Sequence, residues 1–100
     1  MNRNLPDIKH PDFAPIVQRG DDIKPLGMFR CGNCYLLCYD AFAFLVDNHG
    51  TLIKNSWIEW EGTPQSIAFC YPYVIAFDPR FIEVRHAESV NITFYLFYNL

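Results

Sequence analysis

The stretch YLLCYDAFAFLVDNHG (35–50) decides the fold. Two apolar runs, YLLCY and FAFLV, are separated by Asp40-Ala41 and closed by Asp47-Asn48-His49-Gly50. Short runs rich in aromatic and branched side chains, set between turn-forming residues, are the pattern of strands joined by hairpins. Displaced by 38 positions, YLLCYD (35–40) lies on YVIAFD (73–78). Tyr35 falls on Tyr73, Asp40 on Asp78, and every position between pairs apolar with apolar. Phe44 and Val46 fall on Ile82 and Val84, Asp47 on Arg85, and upstream Phe29 falls on Ile67.

Outward from this core the texture continues. Each copy reads as a meander of four strands: LGMFR, CYLLCY, FAFLVD and the run ending at WIEWE, then SIAFCY, YVIAFD, FIEVRH and ITFYLFY. The period is close to the roughly 40–45 residues of a four-stranded propeller blade. After residue 26 no segment sustains the apolar spacing of three and four that a helix needs. Residues 1–25 differ: they hold four of the 7 prolines, four basic and four acidic residues and one aromatic, Phe13, and read as an extended proline-containing lead-in. The expectation is an all-β chain, part of a β-propeller, with about two four-stranded antiparallel blades (26–61 and 66–98 within 26–100). Propellers close with roughly 4–8 blades, so two blades should leave two large apolar faces uncovered and the isolated chain should self-associate.

Composition narrows the function. The chain is 51% hydrophobic and 19% charged, too apolar for a disordered segment. A net charge of −3 gives no basic footprint for nucleic acid. Apolar runs such as FYLFY (94–98) fall far short of the ~20 residues that span a bilayer. The start, MNRNLPDIKHPDF, lacks a secretory pattern, so a cytoplasmic location is expected, which leaves the Asn91-Ile92-Thr93 sequon unused.

The stretches PIVQRGDDIKPLGMFRCGNCYLLCYDAFAFLVDNHG (15–50) and WIEWEGTPQSIAFCYPYVIAFDPRFIEVRHAES (57–89) closely resemble the citron homology (CNH) domain. The version they resemble most is that at the C-terminal end of fungal Rho-type guanine-nucleotide exchange factors. LLCYDAFAFLVDNHG, IEWEGTPQSIAFCYPYVIAFDP and FIEVRHAE carry the likeness, in collinear order over about three quarters of the chain. The resemblance implies a seven-bladed, WD40-like β-propeller, of which this chain supplies a partial one, about the last two or three blades' worth of strands. It also implies a non-catalytic, regulatory platform for protein partners in Rho GTPase signalling, with exchange activity residing in a separate helical domain. Three departures stand out. Ala41 replaces the family's usual acidic residue. Cys31 and Cys34 occupy a turn where the family has charged or small residues. Val90 stands where a turn glycine is expected. Val90-Asn91 is compatible with a GTNAAY splice donor, so residues 90–100 read either as intron read-through or as a divergent last strand.

Candidate chemistry is sparse. Cys31-Gly-Asn-Cys34 has the spacing of half a zinc site, but Cys38, Cys70, His49 and His86 form no second ligand pair, and a thioredoxin-like role lacks the helix that should follow the first cysteine. In a cytosolic chain all four cysteines are expected to be free thiols. Glu59 and Glu61 flank Trp60 and share one strand face beside Trp57, whereas a glycosidase pair must flank the scissile bond from opposite sides; a solvated face is the simpler reading. His49 belongs to a hairpin turn and His86 ends a strand. Neither a nucleophile motif nor a glycine-rich phosphate loop is present. The expectation is therefore no enzyme, no catalytic, cofactor-binding or metal residues, no cofactor and no small-molecule substrate. A self-sufficient small β-barrel or sandwich acting as a binding module is the alternative, with a zinc-stabilised β domain behind it.

Overall fold

The computed structural model describes residues 23–88 and 92–97. They form two four-stranded antiparallel sheets, each in sequential order. The first contains β1 (Pro25–Cys31), β2 (Cys34–Tyr39), β3 (Phe42–Asp47) and β4 (Ile58–Glu59). The second contains β5 (Ser66–Cys70), β6 (Tyr73–Phe77), β7 (Phe81–His86) and β8 (Ile92–Phe97). The expected all-β architecture of two meanders is what the chain adopts. The lead-in assigned to residues 1–25 lies outside the described residues as far as residue 22, and β1 already begins at Pro25. Of the stretch 90–100, Ile92–Phe97 supplies the fourth strand of the second sheet; residues 90, 91 and 98–100 are outside the described residues.

The ladders repeat at 39 positions rather than 38. Cys34 pairs with Asp47 in the first sheet and Tyr73 with His86 in the second (34 to 73, 47 to 86). Both strands flanking the β6–β7 turn share that offset; β6 merely ends one position sooner than β2, which leaves Asp78-Pro79-Arg80 against Asp40-Ala41. The sequence match of Asp40 with Asp78 nevertheless marks equivalent roles. Asp40 Oδ1 accepts the backbone N–H of Lys24 at 3.1 Å and Asp78 Oδ2 that of Thr63 at 2.8 Å, each just upstream of its sheet's first strand. A slip of one residue on a strand reverses the faces. Phe42, Phe44 and Val46 of β3 therefore correspond to Phe81, Glu83 and Arg85 of β7, not to residues one earlier.

Both faces of β3 are buried. Ala43 and Leu45, with Leu36, Cys38, Ile58 and Trp60, pack against Val74 and Ala76 of the second sheet and Ala87 just after β7, and small residues let the sheets approach closely. Phe29 of β1 stacks on Phe69 of β5 at 5.6 Å, where the first strands of the two sheets meet. On the opposite face of the first sheet, Leu37, Phe42, Phe44 and Val46 form a second cluster, with Trp57 stacked on Phe42 at 4.6 Å and on Phe44 at 5.3 Å. These four residues are all buried, which corrects the expectation of two bare apolar flanks. The flank of the second sheet is more open: Ile75, Phe77 and Ile82 are half-buried and Leu96 is exposed.

The fourth strand of the first sheet is shorter than the expected run WIEWE. Leu52 and Ile53 reach β3 first, through a bridge to Val46 and the Ile53 N–H to Leu45 O bond. The chain then leaves through Asn55, whose left-handed φ of 62° suits asparagine, and returns at Ile58. Ser56 fills the gap. Its buried Oγ accepts from Leu45 N at 3.0 Å and donates to Ile53 O at 2.7 Å, taking the place of a strand backbone where the ladder is interrupted.

Candidate functional site

The densest polar site is buried between the sheets. Glu83 and Arg85 lie two apart on β7 and so project from one face, the face turned toward the first sheet. They are 1% and 5% exposed. Arg85 Nη2 and Nε donate to Glu83 Oε1 at 2.9 and 3.1 Å, and Nη2 donates to Glu59 O of β4 at 2.7 Å. The guanidinium carbon sits 5.9 Å from the Trp60 ring centroid, within cation–π range. The other carboxylate oxygen, Glu83 Oε2, accepts the backbone N–H groups of Glu61 at 2.8 Å and Gly62 at 3.0 Å. Trp60 closes the connection from the first sheet, its indole N–H donating to Tyr39 O at 2.8 Å. The second sheet thus holds the chain as it leaves the first by recognising three backbone groups of residues 59–62, Glu59 O, Glu61 N and Gly62 N. Every buried side-chain polar atom among the described residues has a partner, and this cluster holds and aligns the connection between the sheets.

Asp78 continues the clamp. Its carboxylate is buried, accepts from Thr63 N at 2.8 Å and Arg80 N at 2.8 Å, and pairs with the Arg80 Nε at 3.4 Å. Burial by itself would raise its pKa, but the hydrogen bonds from Arg80 and Thr63 and the Arg80 charge outweigh it and leave the pKa lowered. A carboxyl with a depressed folded pKa stabilises fully above its unfolded value of about 3.9 and loses that contribution as pH falls through the folded value. The wild-type chain should therefore lose stability below about pH 4, and Asp78→Asn should flatten that part of the profile. Denaturation midpoints taken across acid pH check this; an unchanged acid slope in Asp78→Asn contradicts it.

The sequence candidates are scattered. Cys31 and Cys34 face each other across the β1–β2 turn, while Cys38 is buried between the sheets with its thiol pushed up to about 12 by burial. Cys70 is exposed at the end of β5. His49 lies in a turn organised by Asp47, whose Oδ1 accepts from His49 N and Thr51 N, and these bonds lower the Asp47 pKa. His86 meets Tyr73 edge-on at 5.7 Å. Among the described residues no three His, Cys, Asp or Glu side chains gather as a metal site. Glu59 and Glu61 are exposed; what they lend the clamp is backbone, Glu59 O and Glu61 N. Sequence reading missed Glu83 and Arg85 because FIEVRH read as an ordinary strand. The available signal was a pair of opposite charges on alternate positions of a strand whose other face is apolar.

The model of the CNH domain family matches residues 2–96. The Rho1 guanine nucleotide exchange factor 2 of Schizosaccharomyces pombe is 48% identical over 77 residues, covering 76% of this chain and 7% of that protein. The RHO1 GDP-GTP exchange protein 2 of Saccharomyces cerevisiae is 51% identical over 70 residues, covering 69% of this chain and 5% of its own length. Among solved structures, the AfRom2 CNH domain superposes with a TM-score of 0.81 at 34% identity, covering 93% of this chain and 30% of that one. The chain thus spans a small part of the exchange factors and about a third of the solved domain. On this likeness in sequence and in strand arrangement, the chain belongs to the CNH domain family.

Proposed function

We propose that this chain is a C-terminal part of a CNH propeller, blade-like over 26–61 and 66–98, that serves as a non-catalytic protein–protein interaction and regulatory module of cytoplasmic Rho GTPase signalling. Its parent on this reading is a Rho guanine-nucleotide exchange factor. The carrying observation is the similarity to the two Rho1 exchange proteins, 48% and 51% identical over stretches that make up only 7% and 5% of them. Rigid sheets displaying turns are a common platform for protein partners. The net charge of −3 favours neither nucleic acid nor an anionic surface, and no helix of the described residues is long and apolar enough to cross a membrane. The half-open flank around Ile75, Phe77, Ile82 and Leu96 is the surface through which isolated chains would self-associate.

The test is release of a fluorescent GDP analogue from a Rho1-type GTPase. The chain at excess should leave release at its intrinsic rate; acceleration that grows with its concentration overturns the non-catalytic reading. One observation favours a second reading, a self-sufficient β module: the burial of Leu37, Phe42, Phe44 and Val46 on the first sheet's flank. Sedimentation of the same preparation separates the two. Association that rises with concentration supports the partial propeller, and a monomer throughout supports the self-sufficient module.

A further inference from the structure

The cysteine pair of the first hairpin remains outside the clamp and outside the proposed binding role. Cys31 and Cys34 are cross-strand partners closing a two-residue turn. Gly32, at the first central position, has φ 65°, which glycine adopts freely and which a II′ hairpin turn requires. Both side chains lie on the face toward the second sheet: Cys31 belongs to the cluster between the sheets and Cys34 packs against it. Directly opposed residues of an antiparallel pair have Cα atoms about 4.5–5.5 Å apart, inside the roughly 4.4–6.8 Å that a disulfide spans. The hairpin thus already has the backbone approach and the common side-chain direction that a bridge needs. Cys38 lies further along β2, opposite Gly27, and Cys70 stands at the head of the other sheet's hairpin, opposite Tyr73, so each has a non-cysteine partner across its ladder.

We propose that Cys31 and Cys34 form a dithiol–disulfide couple that closes the β1–β2 hairpin in response to a low-molecular-weight disulfide such as oxidised glutathione. Cys34 is half-buried and Cys31 buried, so solvent reaches Cys34 first. The Cys34 thiolate attacks one sulfur of the oxidant, and the first glutathione leaves as thiolate and takes up the proton Cys34 lost. Cys31, whose thiol burial and the Glu88 carboxylate keep from reacting first, then gives up its proton and attacks, as thiolate, the Cys34 sulfur of the mixed disulfide. The second glutathione departs and carries off the Cys31 proton. Two protein thiols are oxidised to one disulfide and one oxidant disulfide is reduced to two thiols, so atoms and electrons balance.

The experiment equilibrates the full chain, and a Cys70→Ser variant that removes the exposed competitor, with glutathione buffers of graded ratio. Free thiols are then trapped by alkylation and the peptide spanning 31–34 is weighed. The expected result is loss of both alkylation sites on that peptide with a mass lower by two hydrogens, at a buffer ratio that leaves Cys38 alkylated. Cys34→Ser and, should that variant fold poorly, Cys34→Ala should abolish the two-hydrogen loss. A stable glutathione adduct on Cys34, a Cys31–Cys70 bridge, or both thiols still alkylated where Cys70 of the unaltered chain carries glutathione each overturns the proposal.

Discussion

Replacing Glu83 with alanine should destabilise the chain by about 3–5 kcal/mol, the cost of leaving one partner of a buried ion pair without the other. The carboxylate has three tasks: it neutralises Arg85 at 2.9 Å and satisfies the backbone N–H groups of Glu61 and Gly62. Arg85, 5% exposed in the wild-type chain, then keeps its bond to Glu59 O but loses the carboxylate it pairs with. A surface pair is worth at most about 1 kcal/mol, so the magnitude itself tells the two situations apart. Urea denaturation of wild type and Glu83→Ala measures it, and a loss under about 1 kcal/mol places the pair in water and refutes the clamp. A double change, Glu83→Leu with Arg85→Leu, removes both charges and should cost less than Glu83→Ala alone, because apolar replacement of a whole buried pair is often close to neutral.

Gly62→Ala should cost about 2–4 kcal/mol, from overpacking and from a hydrogen bond to a charged group that is lost or lengthened. The added Cβ would meet Asp78 Oδ2 at 2.5 Å and Phe81 Cζ at 2.9 Å. Both neighbours are buried and neither is the free end of a long chain. Asp78 must yield, and as it moves it gives up Thr63 N. In Asp78→Ala the nearest obstruction is gone and only the Phe81 ring remains, so the two substitutions should be markedly less than additive, as contacting residues are. Full additivity in thermal or urea denaturation contradicts the close approach. The position illustrates why glycine stands here: the connection between sheets passes so near the second sheet that a side chain has no room.

Much of this was legible without coordinates. The alternation and turn chemistry of CYLLCY, FAFLVD, YVIAF and FIEVRH are local properties, and each became the strand they indicate. The equivalence of Asp40 and Asp78 also survives, because an aspartate beside a turn catches the backbone N–H of the strand leading in, whichever sheet it serves. WIEWE was legible only in part. It has strand composition, yet Trp57 turns onto Phe42 and Phe44 while Ser56 repairs the broken ladder, and two residues remain paired. No local preference encodes that division.

The sequence by itself determined that this chain makes two meanders of four strands, because side-chain period and turn residues act over a few positions. Only the tertiary structure decided which face of each strand meets the other sheet. The ladders of β5, β6 and β7 all stand 39 positions from those of β1, β2 and β3, and that offset turns Glu83 and Arg85 inward where an alignment by residue type had placed Ile82 and Val84. Facing depends on register, and register is fixed by partners distant in the chain.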